Sequence, residues 1–466
     1  MTPSTLQSIL HFLETWWVEL VSGVVIVAVV PLVAGYVVLV ERKLMADMQA
    51  RLGPMRVGPH GLLQPIADAV KLLIKEDIIP NDADKLIFWL APVISMTAAL
   101  TSMGAIAFGP SFQVARDINI GILFVLGVSS LGFLGIILGG WASNSHYSII
   151  GALRSTAQLV SYETAGGLAI ISGLLLSGTL SISGIVEAQE KQGVWFIFLA
   201  PVAAFIYLVA SIAETNRAPF DLPEAESELV AGYMTEYSGF RWALYFLGEY
   251  ANMIVVGSVA TTLFLGGWLR PFPNWKGSGL IREDIVDAGW NLVPAICIGL
   301  IGIYCIYRAG KQPAKVQTGF MWAVALACFA VAVIYAIPAL VFALKVSGFA
   351  GTISGKVLPG LTGAFWFLLK VAAYIYVFMW LRFTLPRYRF DQLMHLGWYI
   401  LIPLAIVNVF AVGIAMLLES HGWNRWLALI PTVLATLAFA ILLVRWHDRR
   451  TESASTASLA PDSYAG

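Results

Sequence analysis

Residues 21–40, VSGVVIVAVVPLVAGYVVLV, contain no charged side chain. As a helix rising 1.5 Å per residue, such a run covers about 30 Å, the thickness of a bilayer's hydrocarbon core. Comparable runs recur near 86–108, 118–140, 155–177, 194–213, 245–268, 291–307, 319–345, 361–382, 396–418 and 425–446. Backbone polar groups in lipid must bond to one another, which leaves helices or closed barrels. A barrel would show alternating segments of about 10 residues, and none is visible. The expected architecture is therefore an all-α polytopic membrane protein with about 11 transmembrane helices.

Charge supports this reading. Only 12% of residues are charged and 59% are hydrophobic, with a mean hydropathy of +0.79; soluble proteins carry about 25% charged residues. The net charge of zero argues against nucleic acid as a partner. No lysine or arginine precedes Arg42, so there is no basic signal-peptide region, and the first run is expected to remain as a span. If the N-terminus faces outside, the inner loops are near 41–85, 141–154, 214–244, 308–318, 382–395 and 445 onward. Those loops hold 19 of the 28 lysines and arginines, the outer loops hold 8, and Lys370 lies in a span. The excess predicts cytoplasmic large loops and a cytoplasmic C-terminus. Cys297, Cys305 and Cys328 lie in apolar runs, and neither they nor the scattered histidines match a metal or iron–sulfur spacing. The chain is expected to carry no redox cofactor of its own.

The first inner loop, ERKLMADMQARLGPMRVGPHGLLQPIADAVKLLIKED, opens with Glu41, Arg42 and Lys43 at the membrane boundary. Arg51 and Arg56 follow among Gly53-Pro54 and Gly58-Pro59, steps that impose irregular backbone. From Gly61 to Lys75, Gln64, Asp68, Lys71 and Lys75 share one helical face while leucines and isoleucines occupy the rest. This predicts an amphipathic helix lying along the surface. An interfacial anchor explains the amphipathicity; the rigid lead-in points further, to a docked surface.

Acids inside spans are costly. Glu163, in STAQLVSYETAGGLAI, lies about 12 Å into its span, where a charge costs at least about 2–3 kcal/mol. Glu249, in FLGEYANM, is similarly deep, and Glu214 ends the fifth span. Each could be a protonated or paired structural acid. That all three lie toward the same end favours a proton relay. Lys370, in FWFLLKVAAYIY, is left open between a structural and a functional role.

The stretch SIAETNRAPFDLPEAESELVAGYMTEYSGF (211–240) adjoins them. It holds Glu214, Asp221, Glu224, Glu226, Glu228 and Glu236 against one base, Arg217. Pro219 and Pro223 pin the backbone around Phe220, and Glu224 and Glu228 stand at i, i+4, where like charges destabilise a helix. A polar chamber with Arg217 as local counter-charge explains this better than a solvated loop.

The segment AETNRAPFDLPEAESELVAGYMTEYSGFRWALYFLGEYANM resembles the signature of the H-subunit family of proton-pumping NADH–quinone oxidoreductase, respiratory complex I. ERKLMADMQARLGPMRVGPHGLLQPIADAVKLLIKED, GWASNSHYSIIGALRSTAQLVSYE and WLRFTLPRYRFDQLMHLGW are similar to the same family, in order, over roughly 15–268 and 361–418. The resemblance implies a membrane subunit in a bacterial plasma membrane that forms the quinone tunnel and couples quinone reduction to proton movement. It implies a tunnel position for Glu41, Arg42, Arg51, Asp68, Arg217, Phe220 and Asp221. It implies an acidic funnel of Glu214, Glu224, Glu226 and Glu228, continued by Glu163 and Glu249. Quinone is then a substrate. NAD, FMN and iron–sulfur clusters are expected on partners: hydrophilic subunits that carry the quinone site and clusters, with small membrane subunits alongside. The chain is not expected to be catalytic alone.

The family core resembles eight spans, so this chain is expected to insert two between Arg270 and Gly360 and one after His421. That divides it into 1–268, 269–360, 361–418 and 419–466. An even insertion preserves the orientation of the last two core spans. Some relatives carry an acid in the third span, where this chain has Ser129 and Ser130. Two other readings stand beside this one: the homologous membrane subunit of a [NiFe] hydrogenase-type complex, and a stand-alone ion transporter. A membrane scaffold is a third, weakened by the buried acids.

Overall fold

The computed structural model describes residues 3–110, 118–221, 230–271, 283–310, 315–343 and 349–458. Ten helices among them are long and apolar enough to cross a membrane. In chain order the helices are α1 Pro3–Met48, α2 Gln64–Ile74, α3 Lys85–Gly104, α4 Gly121–Ser129, α5 Leu131–Ala142, α6 His146–Ser177, α7 Ile182–Gln192, α8 Phe196–Leu199 and α9 Pro201–Glu214. They continue with α10 Gly239–Phe264, α11 Glu283–Ala309, α12 Lys315–Ala343, α13 Phe349–Thr384, α14 Phe390–His395, α15 Ile402–Ser420 and α16 Arg425–Ser458. A six-residue π-helical stretch, Leu396–Leu401, joins α14 to α15, and together they make one span.

Three differences from the sequence reading matter for the site. First, α1 does not stop at the membrane boundary but runs on to Met48, so Glu41, Arg42 and Lys43 stand on a helix. Second, α4 and α5 make one span, and the helix is perturbed at Ser130 without leaving right-handed helical space (φ −64°, ψ −21°). The Ser129 and Ser130 hydroxyls each donate to a carbonyl three residues back, Leu126 and Gly127, at 3.0 Å. Such back-bonding competes with the helix ladder. Third, the fifth span is split into α8 and α9, and α9 alone has 14 residues. Pro201 has no N–H and takes the first helical position, while Ala200 (φ −131°, ψ 60°) lies outside helical space.

The span Gly239–Phe264 within α10 is 72% buried, whereas those of α12 and α16 are 17% buried. α10 is thus the central post, and α12 and α16 are peripheral. Close approach around α10 requires glycine: a Cβ on Gly139 of α5 would fall 2.2 Å from the Tyr245 hydroxyl oxygen. The α2 helix buries no residue completely and lies against α1 and α10, as its amphipathic pattern predicts.

α11 and α12 form an antiparallel hairpin packed against α13. Trp290 meets Trp366 edge-on at 5.7 Å, and Tyr335 meets Phe365 at 6.2 Å. α12 also packs against the turn Pro59–Gly61, so the hairpin tip lies on the side of the first loop. Lys370 of α13 has a structural task. Its ammonium donates to the carbonyls of Leu265, Gly267 and Leu269 at 2.7, 3.0 and 2.5 Å, and stands 4.4 Å from the centre of the Trp195 ring. It thereby satisfies the end of α10, where helix carbonyls lack partners.

Candidate functional site

Because α1 continues past residue 40, Glu41 is carried into the interior, where it is 4% exposed. The Tyr250 hydroxyl donates to its Oε2 at 2.5 Å, and Arg382 of α13 donates to its Oε1. Arg217 lies 3.6 Å away, donates to the Tyr250 hydroxyl at 3.1 Å, and places its guanidinium 3.9 Å over that ring. Burial alone would push the Arg217 charge down; Tyr250 and Glu41 beside it outweigh that and hold it above its ordinary value. Arg217 was expected as counter-charge to the acidic stretch. Among the described residues it pairs with Glu41 and Tyr250; the acids at 224, 226 and 228 lie outside them.

One residue on from Glu41, on the other side of α1, Arg42 faces a cavity of about 200 Å³ between α1, α2 and α10. Val38, Leu39, Leu72, Ala243, Phe246 and Leu247 supply apolar wall. At its polar edge, Asp68 takes hydrogen bonds from Arg42 and Gln64, each at 3.0 Å, with Lys71 at 3.8 Å. From this cavity an aromatic ladder leads inward along α10. Trp242 stacks on Phe246 at 5.0 Å, and Phe246 meets Tyr250 at 5.0 Å, at the i, i+4 spacing of one helix face. The ladder ends at the Glu41 cluster.

On α10, the residue before Tyr250 faces the other way. Glu249 lines a second cavity, of about 60 Å³, together with Glu163 of α6 and Glu214 at the end of α9. Ser95, Ser129, Ser130, Thr215, Asn216, Tyr233 and Asn252 complete its polar lining. The Tyr233 hydroxyl donates to Glu249 at 2.9 Å, and the Asn252 side chain hydrogen-bonds Glu214. That volume accommodates on the order of four waters. A buried carboxylate needs hydrogen bonds or a proton, and this lining supplies hydroxyl and amide partners.

The segment from Ala213 to Asp221 runs between these features and is pinned. Gln158 donates to the carbonyls of Ala213 and Phe220, both at 2.8 Å. Phe220 stacks on Tyr388 at 5.6 Å and tilts against Tyr162 at 5.5 Å. Asp221 pairs with Arg387 at 3.0 Å.

Of the residues singled out in the sequence, Arg42 and Asp68 share the first cavity, and Glu163, Glu214 and Glu249 share the second. Glu41 and Arg217 form the cluster between, with Phe220 and Asp221 in the pinned segment. Arg51 is exposed beside Gln49 and lines neither cavity. Glu224, Glu226 and Glu228 lie outside the described residues. The sequence reading missed Tyr250, Arg382, Tyr233, Asn252 and Ser95. Asn252 had a usable signal, a polar residue three positions after Glu249 within a span; Arg382 had none, being 341 positions from Glu41.

A family profile described as NADH dehydrogenase matches residues 21–413. A relative in Solibacter usitatus (strain Ellin6076), named as H-subunit 2 of NADH-quinone oxidoreductase, is 51% identical over 85% of this chain and 96% of its own length. The corresponding H-subunit 1 of Koribacter versatilis (strain Ellin345) is 48% identical over 84% of this chain and 89% of its own. The H-subunit of Rickettsia prowazekii (strain Madrid E) is 41% identical over 86% and 96%. With matches of this length on a polytopic fold, the chain belongs to the NADH dehydrogenase family, among relatives named as the H-subunit of NADH-quinone oxidoreductase.

Proposed function

We propose that this chain forms the quinone-access chamber of an NADH–quinone oxidoreductase and passes the effect of quinone reduction to a set of proton-holding acids. The observation that carries the reading is the arrangement on α10: an apolar cavity on one side, a three-carboxylate cavity on the other, and the Glu41–Tyr250–Arg217 cluster between them. The cavity at Arg42 and Asp68 suits entry of an apolar quinone from lipid, and the aromatic ladder suits a flat head group or tail. Hydrophilic partner subunits hold NAD, FMN and iron–sulfur clusters and deliver two electrons. Two protons are consumed when the quinone becomes a quinol.

Negative charge arising near the Glu41 cluster raises the proton affinity of nearby acids. Through Arg217, Glu249 senses that change, and Glu214 and Glu163 share its cavity. Each then exchanges protons with its neighbours, and the charge event becomes proton movement in the membrane. In this reading the acids at 224, 226 and 228 belong to the same proton path. Partner membrane subunits receive the protons.

Two measurements test the two halves. Ala243→Trp should fill the first cavity and lower kcat/KM for a long-tailed quinone about tenfold, while NADH oxidation by a water-soluble acceptor at the hydrophilic arm stays unchanged. Equal rates with the quinone would remove the tunnel assignment. Glu163→Gln and Glu214→Gln should lower protons moved per electron in reconstituted vesicles, and an unchanged ratio in both would remove the relay.

A further inference from the structure

Gln158 of α6 is fully buried and lines neither cavity. A buried amide is costly unless hydrogen-bonded, so its partners show its task. Both short bonds of its Nε2 go to the backbone of one turn, to the carbonyls of Ala213 and Phe220, each at 2.8 Å. A third contact, to the Asn216 Oδ1, is longer at 3.4 Å. That nitrogen has two N–H groups, and the two carbonyls take both. Its Oε1 meets no hydrogen-bond partner among the described residues, so the side chain is oriented by its donors. A single nitrogen thus closes the segment 213–220 at both ends. The segment is also tied within itself. The amide of Asn216 donates to Ala213 at 3.2 Å, that of Arg217 to Ile212 at 3.3 Å, and that of Phe220 to Arg217 at 2.8 Å.

The segment serves both sites. Glu214 and Asn216 line the acid cavity, while Arg217, the next residue, reaches the Glu41 cluster. Asn216 itself is in left-handed backbone (φ 50°), which asparagine tolerates. Up to Ala210, α9 is seated directly on α6: a Cβ on Gly166 would lie 3.3 Å from the Ala210 methyl. Past Glu214, where α9 ends, α6 holds the chain through Gln158 and, at 3.5 Å, through Ser155 to the Asn216 amide. We propose that Gln158 is a positioning residue that makes 213–220 move as one piece, so that a displacement of Arg217 beside Glu41 is delivered to Glu214 in the acid cavity. This rests on the relay reading above and adds a mechanical path to it; a purely electrostatic coupling needs no such clasp. Glu163 stands on the same helix as Gln158, so the contact also keeps Glu214 in register with Glu163.

The test uses the intact assembly in sealed vesicles, with quinone turnover and protons moved per electron read on the same preparation. Gln158→Met keeps the length of the side chain and removes both donors. It should lower the protons moved per electron to about half, while quinone turnover per assembled complex stays within about twofold. Turnover and proton movement falling together, at a constant ratio, would mean a packing role and overturn the proposal. Gln158→Asn keeps the amide but is one methylene shorter, so it reaches one carbonyl at most and should fall between parent and Gln158→Met. An unchanged ratio in Gln158→Met beside a lowered one in Glu214→Gln would overturn the clasp and leave the relay standing. An unchanged ratio in both would remove the relay and the clasp with it. Hydrogen exchange gives an independent measurement on the parent: the amides of Thr215, Asn216, Arg217 and Phe220 should be protected to the same degree. In Gln158→Met they should exchange about tenfold faster, as loss of the clasp's hydrogen bonds implies. Unequal protection of Asn216 and Phe220 in the parent would also overturn the proposal.

Discussion

Glu41, itself buried, receives a phenol and a guanidinium and lies beside a second, buried guanidinium. Removing its charge leaves Arg217, 8% exposed at its side chain, without its carboxylate. Breaking such a buried pair costs about 3–5 kcal/mol. Glu41→Gln should therefore lower the thermal midpoint of the assembled complex markedly, whereas Tyr250→Phe, which removes one hydroxyl bonded to charged groups but no charge, should cost less, about 1.5–3 kcal/mol. A melting curve of each variant decides it; comparable small shifts would mean the Glu41 charge is not held by its partners. Lys370 makes a contrasting case. Lys370→Met keeps bulk but leaves the carbonyls of Leu265, Gly267 and Leu269 without their donor, at about 1–3 kcal/mol. Its readout is stability, with quinone turnover per folded complex unchanged.

At the scale of elements, α10 owes its role to a one-residue change of face. Tyr250 and Glu249 are neighbours in sequence, yet one joins the Glu41 cluster and the other the acid cavity. Successive helical residues diverge by about 100°, so a helix enclosed on both sides separates two chambers while keeping them within electrostatic reach. The pinned segment beside it is held from a different element. Asp221–Arg387 is partly exposed, and such pairs contribute at most about 1 kcal/mol. Arg387→Gln should thus leave the melting temperature nearly unchanged. Amides of 217–221 should nonetheless exchange about fivefold faster, the factor that 1 kcal/mol of local opening brings. Unchanged exchange would assign the pinning to Gln158 and the Phe220–Tyr388 stack instead.

At the scale of the whole molecule, the hairpin α11–α12 leaves the central helices and returns, with its tip on the side of the first loop. Excising both helices should leave α13 and α15 with their orientation, because an even number of crossings has been removed; excising only α12 should not. Labelling of single cysteines placed at Arg389 and Gly422 from either side of sealed vesicles reads this directly. Identical labelling in the two deletions would contradict the topology.

The sequence alone was enough for the helical, membrane-crossing architecture, for the surface helix at 64–74, and for the singling out of Glu163, Glu214 and Glu249. These follow from local quantities: the length of an apolar run, the spacing of polar residues on a helix, and the cost of an acid in lipid. The tertiary structure decided the rest. Glu41 turns inward because Tyr250 and Arg382, 209 and 341 positions away, meet it there, and Arg217 follows Glu41. Which acids share a chamber and why Lys370 is a cap both depend on partners brought together by packing. A charge inside a membrane announces its cost in the sequence, but the group that offsets that cost is chosen by the fold.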